Sequence, residues 1–129
     1  MAAARKTRRR VVAIVDDDLS VREAMAGFLE AHGLQTRSFA SAEHFLRSKV
    51  GRSAACLILD LRLEGMSGLE LHRQLQTQGI CAPVIYCTGE ADADGRLRRR
   101  LLQAGARAVL YKPFPPEELL QLVRAALGT

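Results

Sequence analysis

Tryptophan is absent from the chain, and phenylalanine and tyrosine together make up only 5% of it. No aromatic residue lies in the basic segment 5–10, so that segment lacks the stacking platform on which single-stranded nucleic acids bind. No apolar stretch approaches the roughly 18 residues that cross a bilayer, and the first ten residues lack the apolar centre of a secretory signal. These absences predict a cytoplasmic protein that does not bind a membrane.

Cysteine is scarce as well, with three residues in the whole chain. They form no CxxC pair and no Cys/His spacing of the kind that binds zinc, and their odd number argues against a disulfide framework. Cys56, Cys81 and Cys87 all fall in or beside apolar runs. We therefore predict three buried, reduced thiols.

Most of the chain has no excess of either positive or negative charge. Five basic residues in segment 5–10 account for the formal net charge of +5, because residues 11–129 carry 14 basic and 14 acidic side chains. A short charged end is typical of a solvated segment. We predict a basic disordered tail at residues 1–10 and one folded domain at residues 11–129, with contact between the tail and a nucleic acid or an anionic surface as the alternative.

Strand-like and helix-like patterns alternate five times after the tail. The apolar or β-prone runs cover residues 11–15, 34–39, 55–59, 83–87 and 107–111. Each run precedes a segment with helical periodicity. Two of these segments open with a capping-box pattern, Ser20 with Glu23 and Ser67 with Glu70. The second of the predicted helices covers residues 42–49.

Five strand–helix units in about 120 residues predict one α/β domain with a parallel sheet and helices on both faces. Right-handed crossovers leave few topologies for five strands. The expected arrangement is a (βα)5 flavodoxin-like fold with strand order 2-1-3-4-5.

Polar residues follow four of the predicted strands directly. Asp16 and Asp17 follow the first strand, Asp60 the third, Thr88 the fourth and Lys112 the fifth. Parallel strands end at one edge of their sheet, so these side chains are expected to meet there. The oxygen ligands suit Mg²⁺, and Asp60 is a candidate nucleophile for a phosphoryl group with Thr88 and Lys112 as its partners. Asp18 is a candidate N-cap of the first helix.

The motifs IVDDD, LILDLRLEGMSGLEL, VIYCTG and AGARAVLYKPF, in this order and spacing, resemble those of response-regulator receiver domains of two-component signalling. The segment SFASAEHFL resembles receivers that precede a LuxR-type DNA-binding domain. The resemblance covers nearly all of residues 11–127. It implies a phosphoacceptor that switches a surface formed by the fourth helix, the fifth strand and the last helix.

The resemblance also implies roles for individual residues. Asp60 would accept the phosphoryl group from a phosphohistidine of a sensor histidine kinase or phosphotransfer protein, Thr88 would be the switch hydroxyl, and Lys112 would contact the phosphoryl group. Mg²⁺ would be the cofactor, held by Asp16, Asp17, Asp60 and the backbone carbonyl of Arg62. The protein would assist its own phosphorylation and dephosphorylation without turning over a separate substrate.

The sequence departs from the receiver pattern at several positions. Val109 replaces a usual aromatic residue, Glu64 replaces a common proline, and the stretch from Thr88 to Lys112 is about two residues longer. Arg62 and Glu90 occupy positions expected to tune dephosphorylation. The fourth predicted helix is unusually basic, which suggests a solvated face or a surface for an acidic partner or a second copy; it carries Arg96, Arg98, Arg99 and Arg100.

Two other functions remain open at this point. Asp16-Asp17-Asp18 after a strand also matches the nucleophile motif of haloacid-dehalogenase-type phosphatases, although that interpretation leaves Asp60 without a role. The other function is a DNA-binding module that acts through the basic tail. Every predicted helix is needed to cover the sheet, however, so none is available to form a helix-turn-helix. Contact with DNA is therefore expected only indirectly, through an output domain outside this sequence.

Overall fold

The structure, a computed structural model, describes residues 10–128. Strands and helices alternate along the chain as the hydrophobic pattern predicts. The strands are β1 Val11–Val15, β2 Gln35–Phe39, β3 Cys56–Asp60, β4 Val84–Thr88 and β5 Ala108–Tyr111. The helices are α1 Leu19–Ala31, α2 Ala42–Arg47, α3 Gly68–Thr77, α4 Arg96–Gln103 and α5 Pro116–Leu127, and one further helical turn, Lys49–Arg52, follows α2. The predicted tail at residues 1–10 lies almost wholly outside the described residues.

The five strands form one parallel sheet in the order β2-β1-β3-β4-β5, so the predicted topology is confirmed. Because β1 lies between β2 and β3, the strand order reverses there. The carboxyl ends of β1 and β3 are therefore neighbours. This reversal is the usual position of a ligand crevice in open α/β sheets.

Successive side chains of β3 alternate between two apolar layers, one on each face of the sheet. Leu57 and Leu59 pack in the layer covered by α2, α3 and α4. Cys56 and Ile58 pack in the layer covered by α1 and α5. With both faces covered, the central strands are apolar along their whole length, which is what the continuous hydrophobic runs indicated.

The helix starts were predicted with mixed success. Ser67 and Glu70 form the expected capping box of α3. The capping box predicted at Ser20 and Glu23 is wrong, because α1 begins two residues earlier, where the Asp18 side chain accepts a hydrogen bond from the Val21 N–H. This hydrogen bond from Val21 to Asp18 stabilises the first turn of α1, which begins shortly after Asp16 and Asp17.

Two other expectations need correction. The helix predicted over residues 42–49 ends at Arg47, because Ser48 is extended before the next helical turn begins. Cys81, in the loop between α3 and β4, is exposed and is not the buried thiol that was predicted. Cys56 and Cys87 are buried as predicted. Among residues 10–128, no helix combines the length and the apolar character needed to cross a membrane.

Candidate functional site

Three carboxylates meet at the carboxyl edge of the sheet. Asp16 and Asp17 directly follow β1, and Asp60 is the last residue of the neighbouring β3. One oxygen from each of these residues lies within 4.8 Å of the other two. Asp16 is almost fully buried at 1% exposure, Asp60 is 9% exposed, and Asp17 faces solvent. The predicted convergence of the acidic residues is present.

Hydrogen bonds fix the orientation of the two buried carboxylates. Asp16 Oδ1 accepts the Asp18 N–H at 2.9 Å, and Asp60 Oδ1 accepts the Arg62 N–H at 3.2 Å. The Arg22 guanidinium also donates to the backbone carbonyl of Asp16 at 2.7 Å. The turns after β1 and β3 are thus tied to the carboxylates that they carry.

Lys112 brings the positive charge from β5. Its Nζ lies 3.0 Å from Asp16 Oδ2 and 3.5 Å from Asp60 Oδ2. The Lys112 N–H donates to the Thr88 carbonyl at 2.7 Å, which holds the start of the β5–α5 loop against the end of β4. The Lys112–Pro113 peptide bond is cis. The lysine therefore spans the edge from β5 to β1, as the sequence predicted.

The charges at this edge do not balance. Two unit charges about 5 Å apart repel by about 3 kcal/mol at an effective dielectric of about 20. Burial raises the pKa of the Asp60 carboxyl above its usual value, and the Asp16 carboxylate adds to this, while Lys112 and the Arg62 N–H oppose it. Burial acts against the charged form of Lys112, but its hydrogen bond to Asp16 and the charges of Asp16 and Asp60 outweigh that effect and raise its pKa.

One ammonium faces three carboxylates, so the cluster has the charge and the oxygen donors that suit a hard divalent cation. The cluster lies at the reversal of strand order, and one of its members, Asp17, is exposed. The residues present therefore fit a metal site at this edge. Asp16, Asp17 and Asp60 are the side chains that could hold the ion.

Thr88 ends β4 beside the acidic cluster and is buried at 1% exposure. Its Oγ1 accepts the Glu90 N–H at 3.1 Å, so the hydroxyl is engaged with the loop that follows β4. Val109, at the position where an aromatic residue was noted as usual, is a buried part of the layer beneath α4. No aromatic ring is available at residue 109 to move with the hydroxyl.

A salt bridge connects the loops after β3 and β4. Arg62 Nε and Nη2 donate to Glu90 Oε1 at 2.8 and 2.5 Å. The sequence placed both residues two positions beyond Asp60 and Thr88, but did not indicate that they pair. Pairs of this kind depend on loop conformation, which hydrophobic periodicity does not encode.

Two further loop contacts were not foreseen from the sequence. The Tyr111 hydroxyl donates to Asp92 Oδ2 in the β4–α4 loop. Glu43 Oε2, on α2, accepts the Met66 N–H in the β3–α3 loop at 3.1 Å. Both contacts join residues far apart in the chain, and a single sequence gives no signal for them.

The comparisons with known proteins agree with this geometry. Residues 12–124 match the family described as "Response regulator receiver domain". The chain is 43% identical over 121 residues to response regulator protein TodT of Pseudomonas putida, covering 93% of this chain and 52% of TodT. It is 38% identical over 117 residues to transcriptional regulatory protein FixJ of Azorhizobium caulinodans, covering 91% of this chain and 54% of FixJ. The chain thus spans about half the length of these curated relatives.

Solved structures give the same result. The response regulator StyR superposes with a TM-score of 0.81 at 35% identity, covering 92% of this chain and 59% of the StyR chain. The DrrB receiver domain, solved in its BeF3-activated form, superposes with a TM-score of 0.77 at 29% identity, covering 93% of this chain and 98% of that one. With its sequence matched from the second residue of β1 to the last turns of α5, the chain belongs to the response regulator receiver domain family of two-component signalling.

Proposed function

We propose that Asp60 accepts a phosphoryl group from a phosphohistidine of a sensor histidine kinase or phosphotransfer protein, in the presence of Mg²⁺. The observation that carries this proposal is the meeting of Asp16, Asp17 and Asp60 with the Lys112 ammonium at one edge of the sheet. Phosphoryl transfer depends mainly on positioning and on neutralising charge, and this edge offers both.

Asp60 is better placed than Asp16 to be the nucleophile. Each carboxylate has a backbone N–H on one oxygen and Lys112 Nζ near the other, but both contacts are shorter for Asp16, at 2.9 and 3.0 Å, and its side chain is 1% exposed. Asp60 is more accessible, and its Oδ2 lies at the longer distance of 3.5 Å from Lys112. A haloacid-dehalogenase-type reaction would require the buried Asp16 to attack, so the geometry favours Asp60.

In the proposed transfer, a carboxylate oxygen of Asp60 forms a bond to phosphorus while the bond from phosphorus to the donor's imidazole nitrogen breaks. The electron pair of that bond leaves with the imidazole, whose other ring nitrogen already carries a proton so that the ring departs neutral, and an acyl phosphate forms on Asp60. Lys112 stands beside the accepting oxygen and would pair with the charge that the phosphoryl group brings. No side chain in this scheme needs to donate a proton.

Asp16, Asp17, Asp60 and the backbone carbonyl of Arg62 would hold the Mg²⁺. When bound, the ion would neutralise part of the negative charge of the carboxylates and of the phosphoryl oxygens. The chain's own contribution is to hold the two buried carboxylates in place through the N–H groups of Asp18 and Arg62.

Thr88 would transmit the change to the rest of the domain. Its hydroxyl would turn from the Glu90 N–H to a phosphoryl oxygen, which would free the loop between β4 and α4 to shift. The affected surface consists of α4, β5 and α5. We propose that this surface binds a second copy of the domain or an acidic partner, because α4 exposes Arg96, Arg98, Arg99 and Arg100.

The salt bridge between Arg62 and Glu90 would shield the phosphoryl group from water and so set the lifetime of the acyl phosphate. On this proposal the protein assists its own phosphorylation and dephosphorylation and has no other substrate. The output is proposed to be transcriptional, with DNA bound only by a domain beyond this sequence, since FixJ is a transcriptional regulatory protein. A cytoplasmic location stays a prediction.

The test is the intact mass of the full chain after incubation with acetyl phosphate and Mg²⁺. The wild type is expected to gain one phosphoryl group, and Asp60→Asn is expected to gain none. Asp18→Asn is the matched control, because it changes a neighbouring carboxylate that caps α1 and keeps the hydrogen-bonding oxygen. An adduct that persists in Asp60→Asn, or that maps to Asp16, would overturn the assignment.

A further inference from the structure

We infer that Glu43 is a positioning residue for the phosphorylation site: it clamps the β3–α3 loop so that the Arg62 carbonyl is held where the proposed metal needs it. Glu43 lies on α2, outside the acidic cluster, and none of the site chemistry described above uses it. The inference rests on the proposed function, since the Arg62 carbonyl matters only if the edge holds a metal.

The β3–α3 loop, residues 61–67, is fixed at both of its ends. Near β3, the Arg62 N–H donates to Asp60 Oδ1 at 3.2 Å, and the Leu61 carbonyl accepts the Gly68 N–H at 3.1 Å. At the other end, Ser67 belongs to the capping box of α3. Between these ends, the Leu63 side chain is buried in the layer beneath α2, α3 and α4, whereas Glu64 and Gly65 are exposed.

The middle of the loop has little stiffness of its own. It contains no proline, because Glu64 stands where the receiver pattern commonly has one, and both Glu64 and Gly65 are exposed. Gly65 has φ +78°, a conformation that glycine adopts without strain. Glycine also leaves the backbone more conformational freedom than any other residue when no contact holds it. Leu63 anchors the part of the loop next to Arg62, so an external contact would add most to the order of the exposed residues that follow it.

Glu43 supplies that contact. Its Oε2 accepts the Met66 N–H at 3.1 Å. The same oxygen occupies the space beside Gly65, because a Cβ added to Gly65 would be only 2.9 Å from it. The carboxylate thus binds the Met66 N–H and leaves no room for a side chain at Gly65, so a residue larger than glycine would displace it.

The helix that carries Glu43 is itself well anchored. Ala42 and Phe45, the residues on either side of Glu43 that point inward, are fully buried in the layer beneath α2. The Ser41 side chain caps the helix by accepting the His44 N–H at 3.0 Å. The clamp therefore connects the loop to the core of the domain.

The test compares three full-length variants: Glu43→Ala, Glu43→Gln and Glu64→Ala. Glu43→Ala removes the acceptor, Glu43→Gln keeps an oxygen acceptor without the charge, and Glu64→Ala removes an exposed charge from the same loop. Three quantities are measured: hydrogen exchange at the Met66 amide in the metal-free protein, the dissociation constant for Mg²⁺, and the guanidinium unfolding midpoint.

Glu43→Ala is expected to speed Met66 amide exchange and to raise the Mg²⁺ dissociation constant about threefold to tenfold, the factor that corresponds to one hydrogen bond of ordinary strength. The unfolding midpoint is expected to change little. Glu43→Gln is expected to restore both quantities to near the wild-type values, and Glu64→Ala is expected to leave Met66 exchange unchanged.

The inference is overturned if Glu43→Ala binds Mg²⁺ as tightly as the wild type, or if Glu43→Gln is as impaired as Glu43→Ala. It is also overturned if the weaker binding is matched by a global loss of stability. A different result marks failure of the proposed function: the wild type itself would not bind Mg²⁺ or accept a phosphoryl group on Asp60. Met66 exchange would still report the clamp in that case.

Discussion

Gly68 shows how a single residue constrains β3, the strand that ends at Asp60. A Cβ at this position would lie 2.3 Å from the backbone oxygen of Asp60, which cannot rotate out of the way. We predict that Gly68→Ala lowers the free energy of unfolding by about 3 kcal/mol, at the upper end for overpacking, because the end of β3 and the start of α3 would have to separate. Guanidinium denaturation measures the change.

Gly27→Ala is the matched control for this substitution. Gly27 is an exposed residue inside α1, and nothing lies within 4 Å of an added Cβ. Alanine there is expected to raise the free energy of unfolding by about 0.5–1 kcal/mol, because it reduces the freedom of the unfolded chain. Equal effects of the two substitutions would contradict the packing argument.

The three thiols are expected to react very differently with an aromatic disulfide reagent. Burial raises the pKa of both Cys56 and Cys87 to about 12, so neither forms a thiolate near neutral pH, and both are inaccessible. Cys81 is exposed. At pH 8 we predict one fast-reacting thiol in the folded protein and three in guanidinium. A Cys81→Ser variant that still shows a fast thiol would contradict this assignment.

At the residue scale, the sequence predicts which side chains the strands bring together, but it does not predict the contacts between loop residues. Asp16, Asp60, Thr88 and Lys112 were predictable because each follows an apolar run, and parallel strands bring such positions to one edge. The pairing of Arg62 with another loop was not predictable, because the loop backbone sets it. The same holds for the exposure of Cys81, which depends on how its turn leaves the sheet.

The start of α4 is stabilised from outside the helix. Its N-cap residue is Gly95, which has no side chain to accept a hydrogen bond. The Asp92 carboxylate takes that role instead and accepts the N–H groups of Leu97 and Arg98 at 2.9 Å each, while the Tyr111 hydroxyl holds it from β5. The longer β4–α4 loop is thereby joined to the strand that precedes Lys112.

This arrangement predicts a pH dependence of the first turn of α4. The hydrogen bond from Tyr111 lowers the pKa of the Asp92 carboxyl below its usual value, and those from Leu97 and Arg98 act in the same direction. A carboxyl with a lowered pKa in the folded state stabilises the structure above its unfolded-state pKa, and this contribution is lost as the pH falls through the lower folded-state value. The amide resonances of Leu97 and Arg98, followed by NMR down to acidic pH, are expected to titrate together.

Tyr111→Phe serves as the comparison for this titration. It removes the hydrogen bond that contributes most to the lowered pKa, so the amides are expected to titrate at higher pH than in the wild type. Asp92→Asn should abolish the shared titration. Persistence of the titration in Asp92→Asn would assign it to another group.

At the scale of elements, type and order were predictable and ends were not. The five strands and their helices follow from apolar periodicity, and the α3 capping box from Ser67 and Glu70 was correct. Two acceptors, Asp18 and Ser20, precede the same apolar face of α1; the prediction of Asp18 as N-cap is confirmed, and only the structure shows that it, and not Ser20, binds the Val21 N–H. The remote cap of α4 has no local sequence signal at all.

For the whole molecule, Mg²⁺ is predicted to stabilise the fold. Only the folded chain brings the carboxylates after β1 and β3 together, so on the proposed function the ion would bind the folded state in preference to the unfolded one. At a free Mg²⁺ concentration 100 times the dissociation constant, the free energy of unfolding should rise by about 2.7 kcal/mol. Denaturation with and without Mg²⁺ measures the difference.

Asp17→Asn is the informative variant for this measurement. Asp17 is exposed and is part of the three-carboxylate cluster, so its change should weaken the response to Mg²⁺ with little direct cost in packing. Asp18→Asn, one residue further on, is the control that should retain the response. An equal Mg²⁺ response in all three proteins would place the ion elsewhere.

The global topology could be predicted because both faces of the sheet are covered, which gives the central strands unbroken apolar runs, and because crossovers are right-handed. Strand order then determined which polar residues meet. The division of the core into two layers also follows from this pattern, since alternate residues of β3 face α1 and α5 on one side and α2 to α4 on the other.

The opposite rim of the sheet, where the strands begin, holds none of the residues proposed for phosphoryl transfer. Its turns include Gly33, Gly79 and Gly105, each at positive φ where a helix ends before the next strand. A Cβ added at Gly33 or Gly79 would meet nothing within 4 Å, while one added at Gly105 would lie 2.7 Å from the Gln76 side chain. A fluorescent reporter spliced into the first or second of these turns would therefore sit at the far end of the strands from the proposed site, where it could follow the folded domain without occupying that edge.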